Sequence, residues 1–495
     1  MYLVGYDIGS SSIKAALVAI DTKEVIDVVQ HPEVEMEIAA VEMGWAEQDP
    51  ETWWEHLCTA TKKLLAGNNQ VRPEEIKGIG IAYQMHGLVV VDKNKNVLRP
   101  SIIWCDSRAV EIGDKAFQTL GEDQCLQTLL NSPGNFTASK LKWVKEHEPE
   151  LYTQIDKFML PGDFIAMKMT DQILTTMSGL SEGIMWDFTS NKPASFLFDH
   201  FGLSEDMIPE LIPTCGHQGE LTEVAATALG LKPGTPVTYR AGDQPNNAMC
   251  LNVLEPGEIA ATGGTSGVVY GITDEPAYDP ASRVNAFVHV NHEVEKARIG
   301  ILLCINGAGI AYSWIKKHMA DQDVTYEDLE KMAQSIPVGA DDLRIIPFGN
   351  GAERILSNKN VGAQFINLNF NRHKQAHMVR ASLEGIAFSF IYGIDILKEM
   401  GLNIQLIRVG NDNLFQSTIF SQTIASLLDC SIEVVDATGA VGAAKAAGIA
   451  TGHYRDLREA NSGLKVVNSF QPNTDRRIYQ DAYQVWKHDL EKILK

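Results

Sequence analysis

The segment Asp7-Ile-Gly-Ser-Ser-Ser-Ile-Lys14 brings a carboxylate, small residues, hydroxyls and a lysine to the end of a β-prone run. Small residues let backbone N–H groups approach phosphate oxygens, and serine hydroxyls can donate to the same oxygens. A carboxylate at a strand end can hold a hydrated magnesium ion, which makes Asp7 a candidate metal ligand. A hairpin turn with a capping aspartate is the plainer alternative. The residues predicted to line this first phosphate hairpin are Gly9, Ser10, Ser11, Ser12 and Lys14.

A second segment of the same design lies in the other half of the chain. Gly263-Gly-Thr-Ser-Gly267 also separates two β-prone runs, so Gly264 and Thr265 are candidates for a second phosphate hairpin. Neither segment is specific alone, but the pair predicts nucleotide binding by two related domains that face a shared cleft. The sequence has neither the G-x-x-x-x-G-K-[ST] pattern of P-loop proteins nor a G-x-G-x-x-G that opens a helix after a strand. P-loop and dinucleotide-binding folds are therefore disfavoured, and a dehydrogenase with them.

An acidic residue lies close to the expected domain boundary. Asp243 belongs to Ala241-Gly-Asp-Gln-Pro-Asn-Asn247, which we interpret as a polar turn after an apolar strand. Transfer of a phosphoryl group to a hydroxyl needs a carboxylate that accepts the proton and aligns the oxygen. The position between the two hairpins makes Asp243 a candidate general base, whereas an ordinary turn aspartate is the alternative.

Two further segments carry groups suited to a polyhydroxylated ligand. They are Gln84-Met-His-Gly87 and Trp104-Cys-Asp-Ser-Arg108. Each desolvated hydroxyl needs a donor or an acceptor, and a histidine beside an aromatic ring and charged groups can provide them. The alternative is a core histidine with a surface Asp/Arg pair.

Composition limits the partners and the compartment. The 495 residues carry a formal net charge of −21, which argues against duplex DNA or an anionic membrane as a partner. The seven cysteines are scattered without a C-x-x-C pair, so neither a disulfide framework nor a zinc site is predicted. The N-terminus lacks the pattern of a signal peptide, and the apolar stretch 299–315 is too short and too polar to span a bilayer. These features favour a cytoplasmic protein.

Hydrophobic periodicity predicts a mixed sheet near the N-terminus. Strands are expected over 2–8, 13–20 and 25–29, followed by a helix from Pro50 to about residue 66 and a strand over 76–83. This order argues against an all-parallel sheet. Further helices are expected at 140–147, 163–169, 375–400 and 415–428. We place the domain boundary near residue 245, with domains at 1–245 and 246–495.

At this level of detail the chain resembles the FGGY carbohydrate kinases of the actin/hexokinase-like ATPase superfamily, and among them the xylulose kinases. The resemblance extends over nearly the whole chain. The motifs that carry it are GYDIGSSSIKAAL, QMHGLVVVD, WCDSRA, FTASKLKWVKEHEPE, IDKFMLPGDFI, AGDQPNNA, ATGGTSGVVY and VRASLEGIAFS. It implies two actin-like (ribonuclease H-like) α/β domains around an interdomain cleft, ATP and magnesium as requirements, a small sugar as substrate and a homodimer.

The resemblance also implies roles for individual residues. Asp243 matches the catalytic base and Asp7 the aspartate near the metal and the transferred phosphate. Met85 and His86 match a sugar-contacting pair that replaces the Arg-Glu of glycerol kinases, which favours a ketopentose, D-xylulose in the first place. Further residues are implied on the sugar side (Trp104, Asp106) and on the nucleotide side (Gly264, Thr265, Gly309, Gly410, Asn413).

Two departures from the family pattern stand out. The adenosine loop at 409–415 lacks the usual Gly-Gly run and is about two residues longer, and Asn367 stands where the family more often has glycine. Alternatives that stay open are a kinase of ribulose, L-xylulose, fuculose, glycerol or another polyol, and a transfer-inactive actin-like protein that binds ATP and sugar.

Overall fold

A computed structural model describes residues 1–321 and 323–495, and of Asn413 it describes the backbone only. Two compact units are present. The first comprises Met1–Leu254, Ala286–Ile299 and Ala437–Gly463, and the second comprises Glu255–Asn285, Gly300–Asp436 and Leu464–Lys495.

The strands form from the apolar and β-branched runs of the sequence. In chain order they are β1 (Tyr2–Ile8), β2 (Ile13–Ala19), β3 (Val25–His31), β4 (Glu47–Gln48), β5 (Ile76–Tyr83), β6 (Val89–Val91), β7 (Ser101–Ile102), β8 (Lys157–Met159), β9 (Leu174–Thr176), β10 (Trp186–Asp187), β11 (Lys192–Pro193), β12 (Glu210–Ile212), β13 (Val237–Gly242), β14 (Glu258–Gly263), β15 (Gly267–Thr273), β16 (Asn285–Val288), β17 (Ile299–Ile305), β18 (Arg344–Ile346), β19 (Gln364–Ile366), β20 (Leu406–Gly410), β21 (Ile432–Val435) and β22 (Val466–Phe470).

The helices lie between and around these strands. They are α1 (Pro50–Gly67), α2 (Val110–Leu120), α3 (Glu122–Leu129), α4 (Thr137–His147), α5 (Pro149–Tyr152), α6 (Pro161–Thr170), α7 (Met177–Glu182), α8 (Ser195–Phe201), α9 (Glu223–Leu229), α10 (Asp243–Cys250), α11 (Gly309–Met319), α12 (Tyr326–Gln334), α13 (Gln375–Glu399), α14 (Thr418–Leu428), α15 (Gly439–Ala450), α16 (Leu457–Ala460) and α17 (Arg477–Leu494), with 3-10 turns at Pro73–Glu75, Glu205–Met207, Ala340–Asp342, Arg354–Leu356 and Asn413–Gln416.

The first unit is built on a five-stranded mixed sheet in the order β13-β5-β1-β2-β3. Strands β1, β5 and β13 are parallel, whereas β2 and β3 run antiparallel as the predicted meander. Helix α1 begins as predicted, because the Asp49 carboxylate accepts the Glu51 N–H at 3.0 Å and proline occupies the first turn. Its buried residues Trp53 and Leu57 pack against one face of the sheet.

Helix α15 packs on the opposite face of this sheet and consists almost entirely of small residues. A Cβ at Gly5 would lie 2.0 Å from the Ala440 carbonyl oxygen, and one at Gly80 would lie 2.0 Å from the Ala443 carbonyl oxygen. The backbones of helix and strands therefore approach more closely than any larger residue allows. Because of this packing, residues 437–463 belong to the first compact unit.

The second unit repeats the strand order of the first. Its principal sheet contains β17-β15-β14-β20-β21-β22, in which β14 is antiparallel to β15 and parallel to β20. Strands β20 and β21 are also parallel. An antiparallel hairpin with two parallel strands beside its first strand is thus common to both units, as the duplicated hairpins predicted. The core of this unit gathers residues of α13 and α17, including Phe388, Phe390 and Trp486.

Three local expectations are corrected or explained. The predicted helix 415–428 begins only at Thr418, because the Ser417 hydroxyl accepts the Phe420 N–H at 3.1 Å and a 3-10 turn precedes it. Asp243 opens helix α10 instead of lying in a turn. Asn367 has φ +60°, a left-handed conformation that glycine adopts freely and asparagine tolerates. No helix among residues 1–321 and 323–495 is long and apolar enough to cross a membrane.

Candidate active site

Three parallel strands bring the principal candidates to one edge of the first sheet. Asp7 lies near the carboxyl end of β1, Met85 and His86 follow β5, and Asp243 follows β13. Neighbouring parallel strands end at the same edge, so residues distant in sequence converge there. The Gln84 N–H donates to the Ile8 carbonyl oxygen at 2.8 Å and fixes the path of the chain beyond β5.

The first predicted phosphate hairpin is present between β1 and β2. Gly9 to Ser12 form its turn, closed by the Gly9 N–H, which donates to the Ser12 carbonyl oxygen at 3.1 Å. Lys14 lies directly across the strand pair from Asp7. The Trp104 indole N–H donates to the Ser10 hydroxyl at 3.3 Å, and 53% of the tryptophan is exposed. Trp104 therefore forms an accessible wall beside the hairpin.

The carboxylates at this edge are desolvated and influence each other. Burial and the neighbouring Asp7 raise the pKa of Asp243 to about 7. Burial also raises the pKa of Asp7, an effect that the Lys14 charge partly offsets. Gln244 donates a long hydrogen bond of 3.3 Å to Asp243. A carboxylate with this pKa exchanges protons near neutral pH and can act as a general base.

The N-terminus of α15 closes the site from the side of the sheet. A Cβ at Gly439 would lie 2.7 Å from Asp7 Oδ2 and 3.1 Å from Asn247 Oδ1. The Asn246 amide donates to the Gly439 carbonyl oxygen at 3.0 Å and accepts from the Tyr239 hydroxyl at 3.1 Å. The glycine thus allows the helix to lie directly against the Asp7 carboxylate.

Met85 is buried and His86 is half-buried beside Asp243. A Cβ at Gly242 would lie 2.6 Å from Met85 Cγ and 2.3 Å from Glu182 Oε2, so this glycine is needed for the packing. The His86 ring packs edge-on to Phe136, with the centroids 4.7 Å apart, and lies 5.4 Å from the Phe287 ring. The predicted sugar-side pair therefore lies next to the candidate base.

Asp106 has a different environment from the one expected of a ligand contact. It is 1% exposed, accepts the forked guanidinium of Arg108 at 2.7–3.1 Å and accepts the Ala46 N–H at 2.6 Å. Arg108 in turn lies over the Trp45 ring, 3.9 Å from its centroid, and bonds to Glu47. These bonds engage both carboxylate oxygens of Asp106, so it holds the loop that carries Trp104.

In the second unit, the predicted nucleotide-side glycines also meet at a sheet edge. Gly264 and Thr265 form the turn of the β14–β15 hairpin, and their carbonyl oxygens accept N–H groups from Gly309 at 3.0 Å and Ile310 at 3.1 Å. A Cβ at Gly309 would lie 2.1 Å from the Gly264 oxygen. Only glycine therefore allows α11 to begin against this turn.

Gly410 ends β20, which pairs in parallel with β14, so it lies at the same edge as the second hairpin. The loop beyond it enters the 3-10 turn at Asn413–Gln416. The side chain of Asn413 is outside the described structure, and its predicted contact with adenosine stays a prediction.

Asp7 is the predicted magnesium ligand, and its carboxylate fits such an ion. It offers hard oxygens in a desolvated place, where a cation would relieve the cost that burial imposes on its charge. Among the described residues, no group of three or more His, Cys, Asp or Glu side chains could hold a metal alone. One or two carboxylates suit a magnesium ion whose other ligands are phosphate oxygens and water.

Two polar residues near the site were missed by sequence reasoning. Lys140 is 0% exposed and donates to the carbonyl oxygens of His86 and Ile103, at 2.8 and 2.9 Å. Glu182 is 1% exposed, and its carboxyl lies beside Gly242. A polar residue inside a helix gives no sequence signal of burial, although Lys140 does lie in the FTASKLKW segment that carries part of the resemblance.

Two α/β units of one topology, each with a glycine-containing hairpin at the carboxyl edge of its sheet, define the actin-like class of folds. The profile described as the FGGY family of carbohydrate kinases, N-terminal domain, matches residues 2–250, and that of the C-terminal domain matches residues 259–451. The chain belongs to the FGGY family of carbohydrate kinases, enzymes that transfer a phosphoryl group to a sugar.

Individual relatives are similar over their full length. The xylulose kinase of Bacillus subtilis (strain 168) is 28% identical over 509 residues, covering 100% of this chain and 99% of the relative. The L-xylulose/3-keto-L-gulonate kinase of Escherichia coli (strain K12) is 29% identical over 503 residues, covering 98% of this chain and 96% of the relative. The crystal structure of a xylulose kinase from Brucella ovis matches with a TM-score of 0.89 at 24% identity, covering 100% and 99% of the two chains.

Proposed function

We propose that this kinase transfers the γ-phosphoryl group of ATP to the terminal primary hydroxyl of D-xylulose, giving D-xylulose 5-phosphate and ADP. The observation that carries the proposal is the desolvated Asp243, whose pKa is about 7, next to Asp7 and the Met85–His86 segment. A base at this place can serve a hydroxyl of a sugar bound against that segment.

The proposed reaction is a single displacement. The substrate hydroxyl gives its proton to a carboxylate oxygen of Asp243 while its oxygen forms a bond to the γ-phosphorus, and the bond between that phosphorus and the β,γ-bridging oxygen breaks. The N–H groups of the Gly9–Ser12 turn and the Lys14 ammonium are suited to phosphate oxygens. Magnesium, held by Asp7 with Asp243 nearby, would supply positive charge against the phosphates when bound.

The carboxyl groups at this edge of the sheet favour a neutral sugar over a sugar acid as the substrate. Asp7, Asp243 and Glu182 are buried carboxyl groups whose pKa values are already raised, so a further carboxylate on the substrate would be disfavoured there. Xylulose kinases are among the full-length relatives. Other neutral ketoses and polyols (ribulose, L-xylulose, fuculose and glycerol) are the competing substrates within the same mechanism.

The test is ADP release with magnesium and ATP against D-xylulose, L-xylulose, D- and L-ribulose, L-fuculose, glycerol and no sugar. We expect D-xylulose to give the highest kcat/KM. Asp243→Asn should lose about 10²- to 10⁴-fold in kcat while retaining ATP binding by calorimetry. Asp199→Asn, an exposed change of the same type on α8, is the matched control.

Each other outcome contradicts a defined part of the proposal. Preference for another sugar would move the substrate and keep the mechanism. Turnover of Asp243→Asn near the wild-type value would remove the assigned base. Sugar and ATP binding without ADP formation would identify a binding protein that has lost transfer.

A further inference from the structure

His86 is held in a conformation that its own backbone disfavours. Its φ is +62°, in the left-handed region that residues other than glycine seldom occupy. Such a conformation is strained and persists only where surrounding contacts enforce it. The residues that supply those contacts therefore control where the imidazole lies.

Helix α4 supplies contacts from one side. The Lys140 ammonium donates to the His86 carbonyl oxygen at 2.8 Å and to the Ile103 carbonyl oxygen at 2.9 Å. One turn earlier, the Thr137 hydroxyl donates to the Gly87 carbonyl oxygen at 3.3 Å. Lys140 thus ties the segment that follows β5 to the loop that carries Trp104, the two sugar-side segments of the sequence.

Helix α7 supplies contacts from the other side. The Glu182 carbonyl oxygen lies 2.8 Å from His86 Nδ1, and a carbonyl can only accept, so Nδ1 carries a proton. In the neutral ring, Nε2 is then the acceptor nitrogen. The Glu182 side chain accepts the His86 backbone N–H through Oε1 at 3.5 Å. The Glu182 backbone carbonyl therefore orients the His86 ring, and the Glu182 side chain contacts the His86 backbone N–H.

Burial shifts the pKa values of Lys140 and Glu182 in the directions that favour their uncharged forms. Burial lowers the pKa of Lys140 to about 7 against the opposing effect of Asp106. Burial and the nearby Asp243 raise the pKa of Glu182 well above its usual value. A buried lysine without a paired carboxylate is costly to retain, which favours a role beyond packing.

We propose that Lys140 and Glu182 are positioning residues that together hold His86 against the sugar and thereby set sugar affinity. This inference rests on the proposed function for the identity of the sugar. It predicts that loss of either side chain weakens sugar binding while the nucleotide side, formed by other residues, keeps its affinity.

The test measures Kd for D-xylulose and for ATP by calorimetry, with KM and kcat for both substrates. Lys140→Met should raise Kd and KM for the sugar about tenfold or more and leave those for ATP within about twofold. Lys142→Met, on the same helix with a partly exposed side chain bonded to Glu146, should match the wild type. Equal sugar affinity in Lys140→Met and wild type, or equal losses for sugar and ATP, would overturn the role of Lys140.

A pair of variants tests Glu182 in the same way. Glu182→Gln keeps an acceptor oxygen for the His86 N–H and should retain sugar affinity, whereas Glu182→Leu should raise Kd for the sugar about tenfold. Equal values in both variants would contradict the proposal.

Lys140→Gln replaces Lys140→Met if the latter shows no cooperative unfolding, because the amide keeps N–H donors. An intermediate rise in Kd for the sugar supports the role of Lys140, and an unchanged Kd contradicts it.

The two proposals fail in distinguishable ways. Wild-type protein that binds D-xylulose without ADP formation contradicts the proposed function, and the binding constants still test the positioning role. Wild-type protein that transfers phosphate while the variants bind sugar normally contradicts the positioning role alone. Wild-type protein that binds none of the sugars contradicts both.

Discussion

At the scale of single residues, the electrostatics of Asp243 connect the fold to a measurable pH dependence. The residue opens α10 at a sheet edge where burial and Asp7 both disfavour its charge. Since the base must be unprotonated to accept a proton, we expect kcat/KM for the sugar to rise with pH and to level off above about pH 7. Initial rates at saturating ATP measure this limb. A profile that is flat through neutrality contradicts the assignment.

Asp243 also makes the stability of the fold depend on pH. Stability should fall as pH rises, whereas kcat/KM should rise. The pKa of Asp243 rises from 3.8 in the unfolded chain to about 7, so between these values the folded state binds the proton more tightly. The contribution of Asp243 to the free energy of unfolding therefore falls as pH rises through this window. The free energy of unfolding of Asp243→Asn should decline less with rising pH than that of the wild type. Urea unfolding at acidic and at neutral pH measures both. Parallel curves for variant and wild type would rule this out.

Asp106 leads to a prediction about stability rather than binding. Its removal leaves the guanidinium of Arg108, 1% exposed in its side chain, without its forked partner. Asp106→Ala should lower the free energy of unfolding by about 1–3 kcal/mol, because the buried Arg108 guanidinium loses its forked hydrogen bonds and keeps only Glu47 as a carboxylate partner. Asp199→Ala, at an exposed position, is the control and should change it by less than about 0.5 kcal/mol. Unfolding by denaturant distinguishes the two, and an unchanged value for Asp106→Ala contradicts the framework role.

The sequence alone identified those site residues that a local pattern marks. Asp7, His86 and Asp243 follow apolar strands, and the sheet geometry gathers such positions at one edge. Lys140 and Glu182 lie inside helices whose burial depends on distant segments, so no local signal marks them. One of the bonds to Asp106 likewise comes from Ala46, which is remote in the sequence and could not be inferred.

At the scale of elements, the second hairpin depends on how closely the N-terminus of α11 approaches its turn. Gly309→Ala introduces a Cβ where the Gly264 oxygen lies 2.1 Å away, and the α11 N-terminus must withdraw from the hairpin. We expect the KM for ATP to rise by on the order of tenfold or more with little change in sugar affinity. Gly463→Ala, whose Cβ would meet only Lys23 Cβ at 3.8 Å, is the control. An unchanged KM for ATP would show that the hairpin does not serve the nucleotide.

Element boundaries were predictable where a cap or a proline defines them. The start of α1 follows from Asp49 and Pro50, and the meander follows from its polar turns. The placement of α15 did not follow, because a helix of glycine and alanine has no pronounced apolar face. Its partner became clear only from the matching glycines of β1 and β5, which are separated from it by most of the chain.

At the scale of the whole molecule, the first unit is discontinuous. Residues 1–254 alone lack α15, and the sheet face around Gly5 and Gly80 would lose its cover. This fragment should therefore show no cooperative thermal transition. Joining it through Gly/Ser linkers to 286–299 and 437–463 should restore one, whereas a scrambled 437–463 should not. Near-ultraviolet circular dichroism during heating measures this, and cooperative unfolding of the bare fragment contradicts it.

The return of 437–463 to the first unit also has a consequence for biosynthesis. About 180 residues must be translated between Leu254 and Ala437, which takes roughly 10–40 s at typical bacterial-to-eukaryotic elongation rates. Throughout that interval the nascent chain exposes an unfinished sheet to solvent or to any chaperone that binds exposed apolar strands. The unit that begins to leave the ribosome first therefore stays incomplete until residue 463 has been translated, and its yield in a cell should depend on how well the exposed sheet is protected during this time.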